Sequence, residues 1–145
     1  GSVKWVNSTI RKQSNLKIDT EDTAHIIFGL SGNNKKDDIL ANLNIDFFRH
    51  DPTRFCKVIG QKGTLHWNAI DNSIKLFEKG TDQWKILYKK KNFRDTTYIS
   101  EWKHFIHCIK NNKKPTVDGN DAFKIIKIIQ AIQKSSNKSS AVSLS

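Results

Sequence analysis

The stretch that decides the fold is FCKVIGQKGTLHWN, residues 55–68. Two runs rich in apolar residues flank a short loop, Gly60-Gln61-Lys62-Gly63, and this pattern predicts a tight β-hairpin. Two further strands are predicted at residues 73–79 and 84–88, each preceded by a short polar turn. Because no helix separates these strands, the region is predicted to be an antiparallel meander, and a parallel doubly wound sheet is excluded for it.

Three longer strands are predicted upstream, at residues 3–12, 23–30 and 39–47. The second is apolar on both faces around Ile26-Ile27-Phe28, which is typical of a strand covered on both sides. A turn is predicted at Gly32-Asn33-Asn34. The third strand alternates cleanly, which predicts a half-buried antiparallel strand with the inward residues Ile39, Ala41, Leu43, Ile45 and Phe47.

The apolar period becomes helical in the last third of the sequence. A first helix, capped by Thr96 or Thr97 and ended by Asn111-Asn112, is predicted from the spacing of Tyr98, Trp102, Phe105, Ile106 and Ile109. A second helix opens at Asp118-Gly119-Asn120-Asp121 and carries the apolar residues Ala122, Ile125, Ile126, Ile129 and Ile132. Residues 135–140 are predicted to be a polar break, and residues 141–144 a short returning strand.

These elements together predict an α+β fold, with a large, mostly antiparallel β-sheet and two C-terminal helices packed on one side or end. A length of 145 residues suits one domain, and residues 1–145 are expected to form it. No apolar run reaches the roughly 20 residues that a membrane span needs, so no membrane association is expected. Cys56 and Cys108 are expected to be buried free thiols, which favours a reducing, cytoplasmic location.

The formal net charge of +11 suggests nucleic acid as one possible partner. The lysines are spread along the sequence, however, and they greatly outnumber arginines, which suit phosphate and base contacts better. Solvated surface lysines are therefore the favoured interpretation, and nucleic acid is not the expected partner. The alternative function is a non-enzymatic module that binds nucleic acid or an anionic glycan, and it requires lysines on one face beside exposed aromatic rings.

Motifs for common chemistries are missing from the sequence. It has no Gly-x-Gly-x-x-Gly dinucleotide loop, no phosphate-binding loop, no Gly-x-Ser-x-Gly nucleophile elbow and no Cys–His group with zinc-ligand spacing. The pairs Glu21-Asp22 and Asp37-Asp38 are interpreted as solvated charges or hydrogen-bond acceptors rather than acid–base pairs. No catalytic, cofactor-binding or metal-binding residue is assigned. A free-standing hydrolase is disfavoured because no pair of a nucleophile and a general base can be identified in the sequence.

The histidines and tryptophans receive structural interpretations. The histidines have no matched partner that would make one of them a base, and a lone histidine is usually structural or exposed: His25, His50, His66, His104 and His107. Most of the tryptophans are expected to pack in the core, although aromatic rings can also stack on bases or sugars: Trp5, Trp67, Trp84 and Trp102.

Six segments, taken in their order along the chain, carry a resemblance to a known family. They are Glu21-Asp22-Thr23-Ala24, FCKVIG (55–60) with KGTLHW (62–67), NSIKLF (72–77), YISEWKHF (98–105), PTVDGNDA (115–122) and AIQKSS (131–136). In this order they resemble the C-terminal domain of the glucose–fructose oxidoreductase / inositol dehydrogenase family, often called Gfo/Idh/MocA. The resemblance covers the chain from about residue 21 to its end.

The resemblance implies a two-domain parent protein. Its N-terminal Rossmann domain would bind NAD or NADP, and its C-terminal domain would help to form the substrate pocket. The reaction implied is hydride transfer between a nicotinamide and a sugar, a cyclitol or a related polyol. The expected partners are the missing Rossmann domain and a second copy of the chain, bound through the sheet face.

The departures from the family pattern limit what can be transferred. The Glu-Lys-Pro motif that supplies the family's catalytic lysine has no match here, and the segment that carries its Asp and His would precede Val3. The isolated chain is therefore expected to be inactive. His66 and Arg54 are candidates for substrate contact, without a motif that assigns either. Gly1-Ser2 resembles the remnant of a tag, so the chain is expected to be part of a longer protein.

Overall fold

Antiparallel strands make up most of the secondary structure in this fold. The structure is a computed structural model, and it describes residues 2–32, 38–91 and 95–144. The elements are β1 (Val3–Arg11), β2 (Thr23–Ser31), β3 (Asp38–Asp46), β4 (Phe55–Gly60), β5 (Gly63–Asn68), β6 (Ser73–Glu78), β7 (Trp84–Lys89), α1 (Thr96–Lys110), α2 (Gly119–Lys138) and β8 (Val142–Ser143). The predicted α+β class is confirmed, as is the short returning strand.

The strands are divided between two sheets, a division that the sequence pattern does not reveal. The first sheet has the order β3-β2-β1-β8, and the second has the order β4-β5-β6-β7. They belong to two compact units, of which the first comprises Gly1–Arg49 with Thr116–Ser145 and the second comprises His50–Pro115. The boundary falls at the chain break around Pro52, which has no N–H to donate to a ladder.

Helix α2 packs against β1 and β8 and forms the core of the first unit. The buried core residues are Val6, Ile26, Ala131 and Ile132. The prediction that β2 is covered on both faces is wrong, because α2 lies on one face only. Ile26 is accordingly 5% exposed, whereas its neighbour Ile27, which points to the other face, is 47% exposed.

The α2 helix begins at a capping box and runs further than predicted. The Asp118 side chain accepts hydrogen bonds from the backbone N–H groups of Asn120 and Asp121, and the Asp121 side chain accepts one from the Asp118 backbone. The polar break predicted at residues 135–140 is wrong, because the helix continues to Lys138 and ends at Ser139, which has a left-handed backbone.

Three serine hydroxyls explain why the helix continues. The Ser135 hydroxyl accepts a hydrogen bond from the Ser8 backbone N–H (3.0 Å) and donates one to the Ser140 carbonyl (2.7 Å). The Ser8 hydroxyl donates to the Ile132 carbonyl (2.6 Å), and the Ser136 hydroxyl accepts from the Ile10 N–H (2.9 Å). These polar residues therefore join helix to strand inside the unit, where a polarity pattern alone places a loop.

A glycine in β2 allows a tryptophan to lie flat on the first sheet. Trp5 and Gly29 are paired residues of β1 and β2, and Gly29 is buried. A Cβ at Gly29 would collide with the Trp5 indole ring. Trp5 is thus half-buried against the sheet, in agreement with its predicted packing role.

The second sheet confirms the predicted meander. Gly60 pairs with Gly63 across the two-residue turn Gln61-Lys62, and β4 to β7 pair in sequence order. All its strand boundaries agree with the predicted ones to within one residue. Glycine spacing and alternation therefore suffice to locate this sheet.

Helix α1 spans Thr96–Lys110, as its apolar spacing predicts, but its cap differs. The N-cap residue is Asp95, which makes no side-chain capping bond, so the predicted threonine cap is wrong. The predicted apolar stripe is present and exposed in this chain: Tyr98 is 66%, Trp102 65% and Ile109 62% exposed.

Some predictions fall outside the described residues. Asn33 and Asn34 of the predicted turn Gly32-Asn33-Asn34 lie outside them. So do Asp37 and the side chain of Asp38 in the pair Asp37-Asp38. Among the helices of the described residues, none combines the length and the apolar character needed to cross a membrane.

Candidate functional site

The second sheet has two chemically different faces. Directly paired residues share a face, so the cross-strand pairs define each set. The lysine–aromatic face consists of Phe55, Lys57, Ile59, Thr64, His66, Asn68, Ser73, Lys75, Phe77, Trp84, Ile86 and Lys89. The apolar face consists of Cys56, Val58, Leu65, Trp67, Ile74, Leu76, Lys85 and Tyr88, with Glu78 at its end.

Aromatic rings run across the lysine–aromatic face. The His66 ring lies 5.6 Å from Phe55 and 5.9 Å from Trp84, and Trp84 lies 5.4 Å from Phe77, all edge to face. Phe55 is 54% and Trp84 is 43% exposed. This chain of rings is therefore accessible from outside while its members hold one another in place.

A cationic row crosses the same face between the rings. Its cations are Lys57 and Lys75, which lie on either side of His66 on three adjacent strands. Phe55 lies on one side of this row, and Phe77 with Trp84 lies on the other. The arrangement combines positive charge with exposed π-faces, which the sequence alone does not place together.

The two candidates for substrate contact lie on opposite faces of the second sheet. Arg54 holds its guanidinium 6.0 Å from the centre of the Trp67 ring, which belongs to the apolar face. His66 precedes Trp67 in β5 and therefore points to the lysine–aromatic face. The structure thus does not bring Arg54 and His66 together in one site.

A cavity of about 400 Å³ lies at one end of the second sheet. Its lining residues are Ile70, Asp71, Asn72, Lys89, Lys90 and Lys91. The Asn72 side-chain amide donates a hydrogen bond to the Lys90 carbonyl (2.8 Å) and so joins the two segments that line the cavity. The hydrogen bond from the Ser73 hydroxyl lowers the pKa of Asp71, burial opposes this, and the charges of Lys75 and Lys89 lower it further. The cavity is therefore predominantly cationic, with one ionised carboxylate.

The carboxylate pair Glu21-Asp22 has a structural role. Asp22 is 2% exposed and accepts hydrogen bonds from the backbone N–H groups of Gln13 (2.8 Å) and Ser14 (2.9 Å). The hydroxyls of Ser14 and Thr23 also donate to it. The interpretation of Asp22 as a hydrogen-bond acceptor is thus confirmed, and its carboxylate fastens residues 13 and 14 to the start of β2.

The charge state of Asp22 follows from these bonds. Burial alone would raise its pKa, but the hydrogen bonds from Ser14, Gln13 and Thr23 outweigh burial and hold the pKa well below the ordinary 3.8. Glu21 also has a lowered pKa, chiefly because the Thr20 hydroxyl donates to its carboxylate. Both groups are therefore ionised at neutral pH, and neither has the raised pKa of a general acid.

Neutralising Asp22 should destabilise the chain and change its acid sensitivity. A carboxylate with a lowered folded-state pKa stabilises the fold above its unfolded-state pKa, and this stabilisation disappears as the pH falls through the folded-state value. We expect Asp22→Asn to lower the urea midpoint at pH 7, and the difference from the parent chain to shrink below about pH 3. Urea titrations between pH 2 and 7 measure both effects. Asp19→Asn, at an exposed position, is the matched control, and an equal effect of both substitutions would contradict the role of Asp22.

Three of the histidines lie beside polar side chains in the described residues. His25 lies 3.3 Å from the Asn44 amide, and the Cys108 sulfur lies 3.6 Å from His104 Nε2. His107 lies 3.3 Å from the Asn111 amide. Within residues 2–32, 38–91 and 95–144, no group of three or more His, Cys, Asp or Glu side chains is arranged to hold a metal ion.

The expected burial of the cysteines and tryptophans is only partly confirmed. Both cysteines are free and Cys108 is buried, but Cys56 is exposed because β4 lies at the edge of its sheet. Trp67, Trp84 and Trp102 are 39%, 43% and 65% exposed, so the expectation that most tryptophans pack in the core is wrong. Alternating apolar residues indicate that a sheet face is covered, but they do not tell whether the covering layer is in the same chain.

The fold and the site together define an antiparallel α+β domain whose described residues include exposed aromatic surfaces. Residues 1–144 match the family described as the C-terminal alpha/beta domain of the Gfo/Idh/MocA oxidoreductases. The chain therefore belongs to this oxidoreductase family. A search among curated proteins finds no match.

Solved structures of similar fold are dehydrogenases and related enzymes. Levoglucosan dehydrogenase in complex with NADH superimposes with a TM-score of 0.84 at 14% identity, over 100% of this chain and 45% of that one. Aldose–aldose oxidoreductase from Caulobacter crescentus, complexed with glycerol, gives 0.78 at 17% identity over 99% and 42%. UDP-N-acetylglucosamine 3-dehydrogenase from Acidithiobacillus ferrooxidans gives 0.72 at 15% identity over 94% and 41%. The chain thus spans less than half the length of these proteins.

Proposed function

We propose that this chain is the C-terminal domain of an NAD(P)-dependent oxidoreductase that acts on a sugar, a cyclitol or a related polyol. The observation that carries the proposal is the family match over residues 1–144. The similar structures include dehydrogenases named with NADH and with sugar substrates, which supports this cofactor and this substrate class. NADH in those complexes favours NAD over NADP.

The chemistry in this proposal requires a second domain. The sequence has no dinucleotide loop and no match to the Glu-Lys-Pro motif, so the cofactor site and the catalytic lysine would lie in an N-terminal Rossmann domain. The present chain would then contribute substrate contacts, for which His66 and Arg54 are candidates. The domain alone would be inactive.

An assay of the complete gene product tests this function. We expect reduction of NAD⁺, followed at 340 nm, with at least one member of a panel of aldoses, cyclitols and UDP-linked sugars. The 145-residue chain, assayed at the same concentration, should give no turnover. A complete gene product without a dinucleotide-binding domain would contradict the proposal.

We also propose that the protein self-associates through the apolar face of the second sheet. Val58, Leu65, Trp67 and Tyr88 on this face are between 39% and 58% exposed, and exposed apolar surface of this extent is typical of an interface. Sedimentation equilibrium of the parent chain and of Leu65→Lys should show a shift towards the monomer for the variant. A parent chain that stays monomeric at high concentration would contradict this assembly.

The proposed location of the protein is the cytoplasm. Cys56 and Cys108 are both free thiols, which suits a reducing compartment.

A further inference from the structure

The positive charge of this protein is concentrated in the second unit. Residues 50–115 contain fourteen of the 25 lysines and arginines but only six of the 14 acidic residues. The redox function proposed above gives no reason for this imbalance. A local excess of lysine attracts anionic partners over distances of about the Debye length, ~8–10 Å at ordinary salt.

Some of this charge lies on the lysine–aromatic face. Lys57 and Lys89 are exposed and Lys75 is half-buried, and all three extend from the same side of the second sheet. Lys89 also lines the cationic cavity at the end of the sheet, together with Lys90 and Lys91. The charges therefore form a track that leads from the middle of the face to its end.

The rings on the same face distinguish among anionic partners. Phe55 is 54% and Trp84 is 43% exposed, and they lie on either side of the row that contains Lys57 and Lys75. A single strand of nucleic acid offers both complementary groups, because its unpaired bases stack on aromatic rings while its phosphates meet the lysines. In a duplex the base faces are hidden in the stack, so these rings would have no partner.

We propose that the lysine–aromatic face of the second sheet binds single-stranded nucleic acid. Bases stack on Phe55 and Trp84, and phosphates lie against Lys57, Lys75 and the track through Lys89. Recognition is independent of base sequence, because rings and point charges read neither base edges nor sugars. The proposal does not depend on the redox function and is tested on the same chain.

Fluorescence anisotropy of a labelled oligo(dT) of about 12 nucleotides, titrated with the 145-residue chain, provides the first test. With four phosphates neutralised, the affinity should fall about fifty-fold between 50 and 200 mM salt. A matched duplex should bind more weakly at each salt concentration. Salt-independent binding, or a duplex that binds as tightly as the single strand, would overturn the proposal.

Charge reversal on this face and on a helix of the first unit locates the site. The double variant Lys57→Glu/Lys75→Glu should weaken binding at least about thirty-fold and reduce the magnitude of the salt slope by about 1.4. Lys134→Glu/Lys138→Glu, which reverses two exposed lysines of α2 in the first unit, is the matched control and should weaken binding only a few-fold. Equal losses for these two variants, once circular dichroism shows both to be folded, would mean that binding is not confined to this face.

Ring removal separates nucleic acid from other polyanions. Phe55→Ala and Trp84→Ala should each weaken oligo(dT) binding about ten-fold. The control Phe123→Ala, which removes a 61% exposed ring of α2 in the first unit, should not. Heparin, a sulfated glycan, should compete poorly. If heparin competes as well as unlabelled oligo(dT) and the ring variants keep full affinity, the face is a general polyanion surface and the proposal is wrong.

Discussion

Replacing Val6 by aspartate is expected to unfold the first unit of this protein. Val6 is 0% exposed and lies in the core that α2 forms with β1 and β2. A carboxylate at this position would be surrounded by Ile26, Ala131 and Ile132, and none of the buried residues that the structure describes is a lysine, an arginine or a histidine. Burying an unpaired charge costs about 4 kcal/mol or more, which is comparable with the total stability of a small unit.

The neighbouring Asn7 provides the control for this experiment. Asn7 is exposed on the opposite face of β1, so Asn7→Asp adds the same charge without burying it. Far-ultraviolet circular dichroism with urea titration should show Val6→Asp to be unfolded or strongly destabilised and Asn7→Asp to be within about 0.5 kcal/mol of the parent chain. Equal stability of the two variants would show that the core of the first unit does not lie where the structure places it.

Removal of one hydroxyl from α2 should have the second-largest effect. Ser135 is 0% exposed, and its hydroxyl satisfies both the Ser8 N–H of β1 and the Ser140 carbonyl. In Ser135→Ala the buried Ser8 N–H loses its partner, whereas the carbonyl of the exposed Ser140 can bond to water instead. Since one unsatisfied buried group costs about 1–3 kcal/mol, a loss in that range is expected, measured by urea unfolding.

Ser100 in α1 is the matched control for Ser135. Its hydroxyl donates to the carbonyl of Thr96 in its own helix (2.8 Å), and the residue is exposed. Ser100→Ala should leave stability within about 0.5 kcal/mol of the parent, because water replaces the hydroxyl and alanine favours the helix. A loss for Ser135→Ala no larger than that for Ser100→Ala would contradict the helix–strand junction.

The second sheet could be predicted from the sequence because local chemistry determines it. Gly60 and Gly63 allow the hairpin turn, and the runs on either side of that turn have the period of strands. The spacing of the apolar residues also located both helices, and the Asp118 cap located the start of α2. These signals lie within a few residues of the element that they define.

Other features depend on residues far apart in the sequence and could not be predicted. The polar sequence around Ser135 predicts a loop. Its hydroxyl instead accepts a hydrogen bond (3.0 Å) from the backbone N–H of Ser8, which lies 127 positions earlier in the chain. The sequence allows Asp22 to be a hydrogen-bond acceptor, but only the fold shows that its donors are the backbone N–H groups of residues 13 and 14. The cationic row of Lys57 and Lys75 requires the register of three strands, which composition does not contain.

The exposed tryptophans show a different limit of sequence reasoning. Trp67 lies in β5 and Trp84 in β7, where apolar and polar residues alternate. This alternation indicates only that one face of the strand can be buried against another layer. Whether the cover is a helix of the same chain, another domain or another molecule is decided outside the strand. Their exposure in this chain is consistent with a domain that works within a larger protein.

Nicotinamide binding tests the central claim most directly. Titration of NADH into the 145-residue chain, followed by the enhancement and blue shift of NADH fluorescence, should show no saturable binding. The same titration of the complete gene product should show saturation near one NADH per chain. Stoichiometric NADH binding by residues 1–145 alone would contradict the account, because it would place within this chain the cofactor site that we assign to a separate domain.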